Sequence, residues 1–308
     1  MWRVSETLFG GDVYSSADPF ATAITYDDDT VVWVGSDEAV SSGTPLDGDF
    51  VAPGFVDAAV DLRNTDGYDY LACGVTSVHV IGTSEQCEAV SDPHVVAYPT
   101  DAREGRRAVR VEDVREANDV TDPVFVCVDS AADLAELEGL VRDSEWKTAA
   151  QRAGLRVMVG CDTDVDPEVW GGSGLAVTVN PHHTRDLHAL FNAGAQVSFS
   201  LAGNPWGAVR AGVENGLSAR AAFNASTRFG FRALGQFEGG VLAPGTTVDM
   251  VRWSATSLVV QVADPRVAAW STDPRSGTPG LPDLNEAFPH VRTIWVGGRS
   301  HDVPSESV

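Results

Sequence analysis

The chain has 308 residues, with 44 acidic side chains against 21 basic ones and a formal charge of −23. Hydrophobic residues make up 43%, ample for a packed core, so wholesale disorder is excluded. That much negative charge repels phosphate, which argues against nucleic acids and anionic membrane surfaces as partners.

The first fifty residues read as short strands. Ala21 to Tyr26 and Val31 to Val34 flank the turn Asp27-Asp28-Asp29-Thr30, a hairpin signal. A further strand ends at Asp49-Phe50-Val51, just before Pro53-Gly54. From Pro53 onward, short apolar runs alternate with helical segments. The strands are predicted at Phe55–Val60, Ser77–Ile81, His94–Tyr98, Val124–Val128, Arg156–Val159, Leu175–Val179 and Gln196–Leu201. Helices are predicted at Ala131–Arg142, with Ser130 as N-cap, and at Glu145–Gly154, Arg185–Ala193 and Ser218–Leu234. Strand followed by helix, repeated, predicts α/β architecture with a parallel sheet. Seven such strands suggest a TIM-like (β/α) barrel that falls short of eight full units. The tail returns to strand texture at Thr247–Trp253, Leu258–Val262 and Val291–Val296, with Asp273–Asp283 read as loop. The two β-rich ends are expected to meet as a small β-sandwich. The predicted organisation is thus a composite domain of residues 1–52 and 236–308 around a barrel domain of residues 53–235.

No apolar run approaches the ~18 residues of a membrane span, and the first eleven residues lack the basic and apolar segments of a signal peptide. The four cysteines (Cys73, Cys87, Cys127, Cys161) are scattered without a C-x-x-C pair, as expected of free thiols in the cytoplasm.

Several strings then resemble one family. Val51-Ala52-Pro53-Gly54-Phe55-Val56-Asp57 is similar to the approach to the first barrel strand of the amidohydrolase superfamily, especially its imidazolonepropionase-like members. Leu71-Ala72-Cys73-Gly74-Val75-Thr76-Ser77-Val78 resembles its second strand, and Asn192-Ala193-Gly194-Ala195-Gln196-Val197-Ser198-Phe199 its last. Asn215-Gly216-Leu217-Ser218 with Ala221-Ala222-Phe223-Asn224-Ala225-Ser226-Thr227 resembles the helix that follows. Gly239 to Val251 and Val291 to Arg299 resemble the return to the sandwich.

The resemblance implies metal-dependent hydrolysis of C–N bonds in cyclic amides. The metal, zinc or iron, lowers the pKa of a bound water, and its ligands stand at the C-terminal ends of barrel strands. In this chain the ligand positions read Ala59 and Asp61 where the family has His-x-His, Gly160 where it has a mid-barrel histidine, and Ala202 where it has an aspartate. A degenerate metal centre is therefore expected, with no metal and no other cofactor. The leading expectation is a non-catalytic paralogue or binding protein, a pseudoenzyme that holds a small molecule at the barrel mouth. Two alternatives stay open: a C–N hydrolase with a relocated or absent metal, and a structural subunit of an active homologue. A homo-oligomer also stays open.

Among the remaining polar residues, Asp61, His182 and His183 are the candidates for catalysis, and Asp162, Asn204 and Trp206 for a pocket wall. His79 reads as a hydrogen-bonded histidine on the second strand. Asp162-Thr163-Asp164-Val165-Asp166 invites a calcium-loop reading, but Pro167 stands where such a loop needs glycine and Ser173 where it needs a bidentate carboxylate, so a solvated acidic loop is expected. Cys161 has acidic neighbours that oppose thiolate formation.

Overall fold

Ala23–Asp27 and Thr30–Gly35 pair antiparallel and close the expected hairpin. Asp28 turns the chain at φ +53°, a left-handed conformation that aspartate tolerates better than most residues. The computed structural model of the chain describes residues 5–114, 122–255, 257–259, 279–285 and 287–303. The hairpin belongs to a four-stranded sheet with Glu6–Phe9 and Thr44–Pro45. A second sheet takes strands from both ends of the chain, in the order Arg299–Asp302, His290–Val296, Met250–Ser254, Phe50–Pro53 and Asp12–Val13. Leu8, Ile24, Tyr26 and Val31 of the first sheet share one apolar cluster with Val51, Met250 and Trp295 of the second. The Tyr26 hydroxyl accepts from Trp295 Nε1 at 3.0 Å and donates to Glu6 at 2.6 Å, so its burial leaves no polar atom stranded.

The middle of the chain supplies eight parallel strands: β1 (Phe55–Asp61), β2 (Val75–Gly82), β3 (His94–Pro99), β4 (Arg107–Arg110), β5 (Val124–Val128), β6 (Arg156–Val159), β7 (Ala176–Val179) and β8 (Gln196–Phe199). β1 to β3 form one sheet and β4 to β8 another, each in sequence order. At the edges β3 lies beside β4, and β8 beside β1. The expected count of seven is corrected by β4, whose Arg-Ala-Val-Arg sequence has two apolar residues and no alternation to betray it. The sixth unit has its strand but a very short helix: between β6 and β7 stands the single turn Pro167–Trp170.

The two faces of these strands pack differently. Val126, Val128, Val157, Val177, Val179 and Phe199 point into the main core with the helices, and burying each stabilises the fold by about 1.5–3 kcal/mol. The opposite face builds a separate cluster of Ala59, Ile81, Tyr98, Ala108, Phe125, Cys127 and Met158, which draws on six strands of both sheets. β-branched runs buried on both faces are what covered parallel strands require.

Local chemistry sets the helix bounds. Ser130 caps Ala131–Arg142 by accepting from Asp133 N, and the helix buries Leu134, Leu137 and Val141. The acidic loop finds a structural use, since Asp166 caps Pro167–Trp170 and pairs with Arg142 at 2.8 Å. The long helix expected at Ser218–Leu234 is two, Ala219–Ala225 and Arg228–Arg232. Ser226 and Thr227 break it: their hydroxyls donate back to the Ala222 and Phe223 carbonyls, competing with the backbone ladder. Leu258–Val259 pairs with Leu281–Pro282, so part of the expected loop Asp273–Asp283 is strand. Residues 260–262 of the expected Leu258–Val262 strand, and 273–278 of that loop, lie outside the described residues. All four cysteines are free, Cys87 and Cys127 buried and Cys73 and Cys161 half-buried.

Candidate functional site

Strand alternation carries Asp57, Ala59 and Asp61 to one side of β1. All three line a cavity of about 380 Å³. Met158, Gly160 and Cys161 reach it from the end of β6, Asn180 and His183 from beyond β7, and Ser200 and Ala202 from beyond β8. The four positions at which the family resemblance places metal ligands thus share one wall.

Asp57 is 1% exposed. Its Oδ1 accepts from the backbone amides of Leu201 at 3.1 Å and Ala59 at 3.3 Å, and its Oδ2 from the Tyr68 hydroxyl at 2.8 Å. Burial pushes the carboxyl up to about 6, against the pull of these donors.

Asp61 is fully engaged. Oδ1 accepts from Arg63 Nε at 2.8 Å and Arg63 N at 3.1 Å. Oδ2 accepts from Arg63 Nη2 at 2.8 Å and Asn64 Nδ2 at 2.9 Å. A carboxylate offers about four lone-pair sites, and all are taken. The same guanidinium reaches beyond β5 to Asp129, with Nη1 donating to Oδ2 at 3.0 Å and Nη2 to Oδ1 at 2.8 Å. The hydrogen bond to Asp61 raises Arg63 far above the usual guanidinium range, Asp129 adding to it while burial opposes both. Asp61 as a free general base is therefore corrected: it is the anchor of an arginine bridge.

The other expected site residues scatter. His183 lines the cavity but is exposed, whereas His182 is exposed and absent from the lining. Asp162 is exposed and also off the wall. Asn204 spends its side chain capping Pro205–Glu214, accepting from Gly207 N at 3.0 Å. Trp206 belongs to the core, edge-on to Phe55 with centroids 5.0 Å apart and stacked on Phe223 at 5.7 Å. The pocket expected from Asp162, Asn204 and Trp206 is thus replaced by one built on Asp57, Asn180 and Ser200. Cys161 does face the cavity, but burial first, then Asp133, Asp129 and Asp162, hold its thiol protonated. His79 is buried on its strand beside the Ala58 carbonyl, the one backbone acceptor its ring approaches, at a geometry short of a full hydrogen bond.

No protein-family model matches the sequence, and no curated protein does. Solved structures do match. One is an amidohydrolase at TM-score 0.59 and 14% identity, covering 98% of this chain and 100% of that one. The chain has the amidohydrolase fold. A prolidase complexed with N-methylphosphonate-L-proline matches at TM-score 0.60 and 15% identity, over 97% of this chain and 100% of that one. An atrazine chlorohydrolase mutant from Arthrobacter aurescens, complexed with zinc and atraton, matches at TM-score 0.56 and 15% identity, over 96% and 94%.

Within this amidohydrolase fold the donor set does not suit zinc or iron. Such ions take three or four imidazole, thiolate or carboxylate ligands. Ala59, Gly160 and Ala202 have no donor side chain, and the Asp61 oxygens are filled. Among the described residues no three His, Cys, Asp or Glu side chains converge to hold a metal ion. Arg63, Asp129, Tyr68 and Asn180 were not foreseen. Arg63 and Asp129 are 66 residues apart, and no spacing rule links them.

Proposed function

We propose that this chain is a non-catalytic binding protein on the amidohydrolase fold, in which the one carboxylate left among the family's ligand positions, Asp61, is held by a guanidinium and not by a metal. The carrying observation is Asp61, which shares the cavity lining with Ala59, Gly160 and Ala202 and has its oxygens taken by Arg63, itself paired behind the lining with Asp129. On this reading β1 to β8 close as one (β/α) barrel of residues 53–235, supported by β3 lying beside β4 and β8 beside β1. Residues 1–52 and 236–308 make the composite β-sandwich, supported by their shared sheet and cluster. A cavity of about 380 Å³ falls in the range of small-molecule sites. Its apolar part is Ala59, Met158 and Val159, and its hydrogen-bonding groups are Asp57, Asn180 and Ser200. The ligand we assign is a small polar molecule, bound and released unchanged.

Metal analysis of the purified protein tests this. Substoichiometric zinc and iron, together with a small-molecule thermal shift that Asp57→Asn alters, support the reading. One equivalent of zinc or iron that is lost in Asp61→Ala overturns it.

A second reading, C–N hydrolysis without metal, draws on Asp57 alone, because a buried carboxyl near pKa 6 on a cavity wall suits general-base work near neutrality. Turnover of a cyclic amide that follows the titration of Asp57 and vanishes in Asp57→Asn would select it.

A further inference from the structure

The strand face whose Ala59 and Met158 line the cavity also buries, two residues before Met158 along β6, a positive charge with no opposite charge beside it among the described residues. Arg156 on β6 is 2% exposed. Its Nη1 donates to the Tyr98 hydroxyl at 3.1 Å and its Nη2 to the Ala58 carbonyl at 3.3 Å. Its Nε has no partner, and no carboxylate lies within ion-pair distance of it among the described residues. His79 on β2 is 0% exposed with both ring nitrogens unsatisfied, and it adjoins the same Ala58 carbonyl. Burial, with Arg156 as the next cause, keeps this imidazole neutral, which leaves it one N–H to donate.

Aromatic rings enclose the group. The Arg156 guanidinium carbon stands 4.5 Å from the Phe125 centroid and 5.7 Å from that of Tyr98. Arg106 lies over Tyr98 at 5.6 Å and adds a second cation. In a chain of net charge −23, the buried Arg156 and His79 and the exposed Arg106 lie near one another with no carboxylate among their charged neighbours in the described residues.

We propose that Arg156 Nε–H and the His79 N–H hold a buried monatomic anion, a chloride-sized halide. The guanidinium lacks a counter-charge, and the imidazole has near it only the Ala58 carbonyl, which already accepts from Arg156 Nη2. One small anion supplies the counter-charge and an acceptor, and a buried charge is retained in proteins when it is paired. The site is structural, and it does not rest on the ligand proposed for the cavity.

The test is a crystal of the full chain soaked in sodium bromide and measured at the bromine absorption edge. The expected result is an anomalous peak within hydrogen-bond distance of Arg156 Nε and a His79 ring nitrogen. Bromide peaks on the surface with none at Arg156 would overturn the proposal. In solution, melting temperature is compared in chloride, bromide and gluconate at equal ionic strength. Halides are expected to raise it in the wild type, and His79→Leu, which keeps the guanidinium, is expected to lose most of that rise. Arg156→Met serves as a second variant where it folds. A halide response that is absent in the wild type, or equal in wild type and His79→Leu, sinks the assignment.

Discussion

Arg63 grips Asp61 through two parallel bonds, Nε to Oδ1 and Nη2 to Oδ2, each 2.8 Å long. Such a fork needs the planar guanidinium, and an ammonium cannot reproduce it. Both side chains are largely shielded from water, so truncation leaves the Asp61 carboxylate unpaired where it is poorly solvated. Arg63→Met is expected to cost about 2–3 kcal/mol in urea denaturation at neutral pH. Arg63→Lys is expected to recover less than half of that loss.

Asp57 sets a pH dependence of opposite sign to that of a paired carboxylate. Its folded pKa is raised from 3.8 to about 6, so between those values the folded state binds more protons than the unfolded one. Stability from this group is full below the unfolded value and is lost as pH rises through about 6. The loss is of the order of 3 kcal/mol. Asp57→Asn mimics the protonated form and is expected to flatten this slope and to be the more stable protein at pH ~7. Denaturation of both proteins across the window checks it; parallel curves would refute it.

Trp206 shows how a pocket assignment becomes a packing one. Its ring meets Phe55, Phe223 and Trp253, while its Nε1 has no acceptor among the described residues. Trp206→Ala is expected to cost about 3–5 kcal/mol. Trp206→Phe, which keeps most of the contact and removes the stranded N–H, is expected to cost about 1–2 kcal/mol. Equal losses from the two would show that ring packing is not the main contribution.

Ala202 stands at φ +49°, a left-handed backbone, where the family resemblance expects an aspartate. Aspartate visits that region more readily than alanine, and a β-branched residue hardly at all. Ala202→Val is expected to lose about 1–2 kcal/mol, and Ala202→Gly to stay within about 0.5 kcal/mol of wild type because backbone relief and unfolded-state entropy oppose each other. Chemical denaturation of the pair reads both.

The parallel strands were legible because buried valine runs such as Val124–Val128 leave a plain signal, and six strings in order carried the fold resemblance. β4 was not legible, because its arginines mask two apolar residues. The site was legible as what is missing. Ala59, Gly160 and Ala202 could be read as lost donors, but what replaced them could not. Arg63 acts through Asp129, which approaches it only once β1 and β5 are in place. Likewise the raised Asp57 carboxyl comes from burial by segments 11 and 144 residues away, which leave no trace in local pattern.

The strand Phe50–Pro53 lies between Asp12–Val13 and Met250–Ser254. During synthesis its second edge must therefore wait for a partner made roughly 200 residues later. At about 5–20 residues per second, that is a delay of some 10–40 seconds on the ribosome. Through that interval Phe50, Val51 and Ala52 present an open, apolar edge of the kind that recruits other nascent chains. Translation order thus leaves this edge unpaired until Met250–Ser254 emerges.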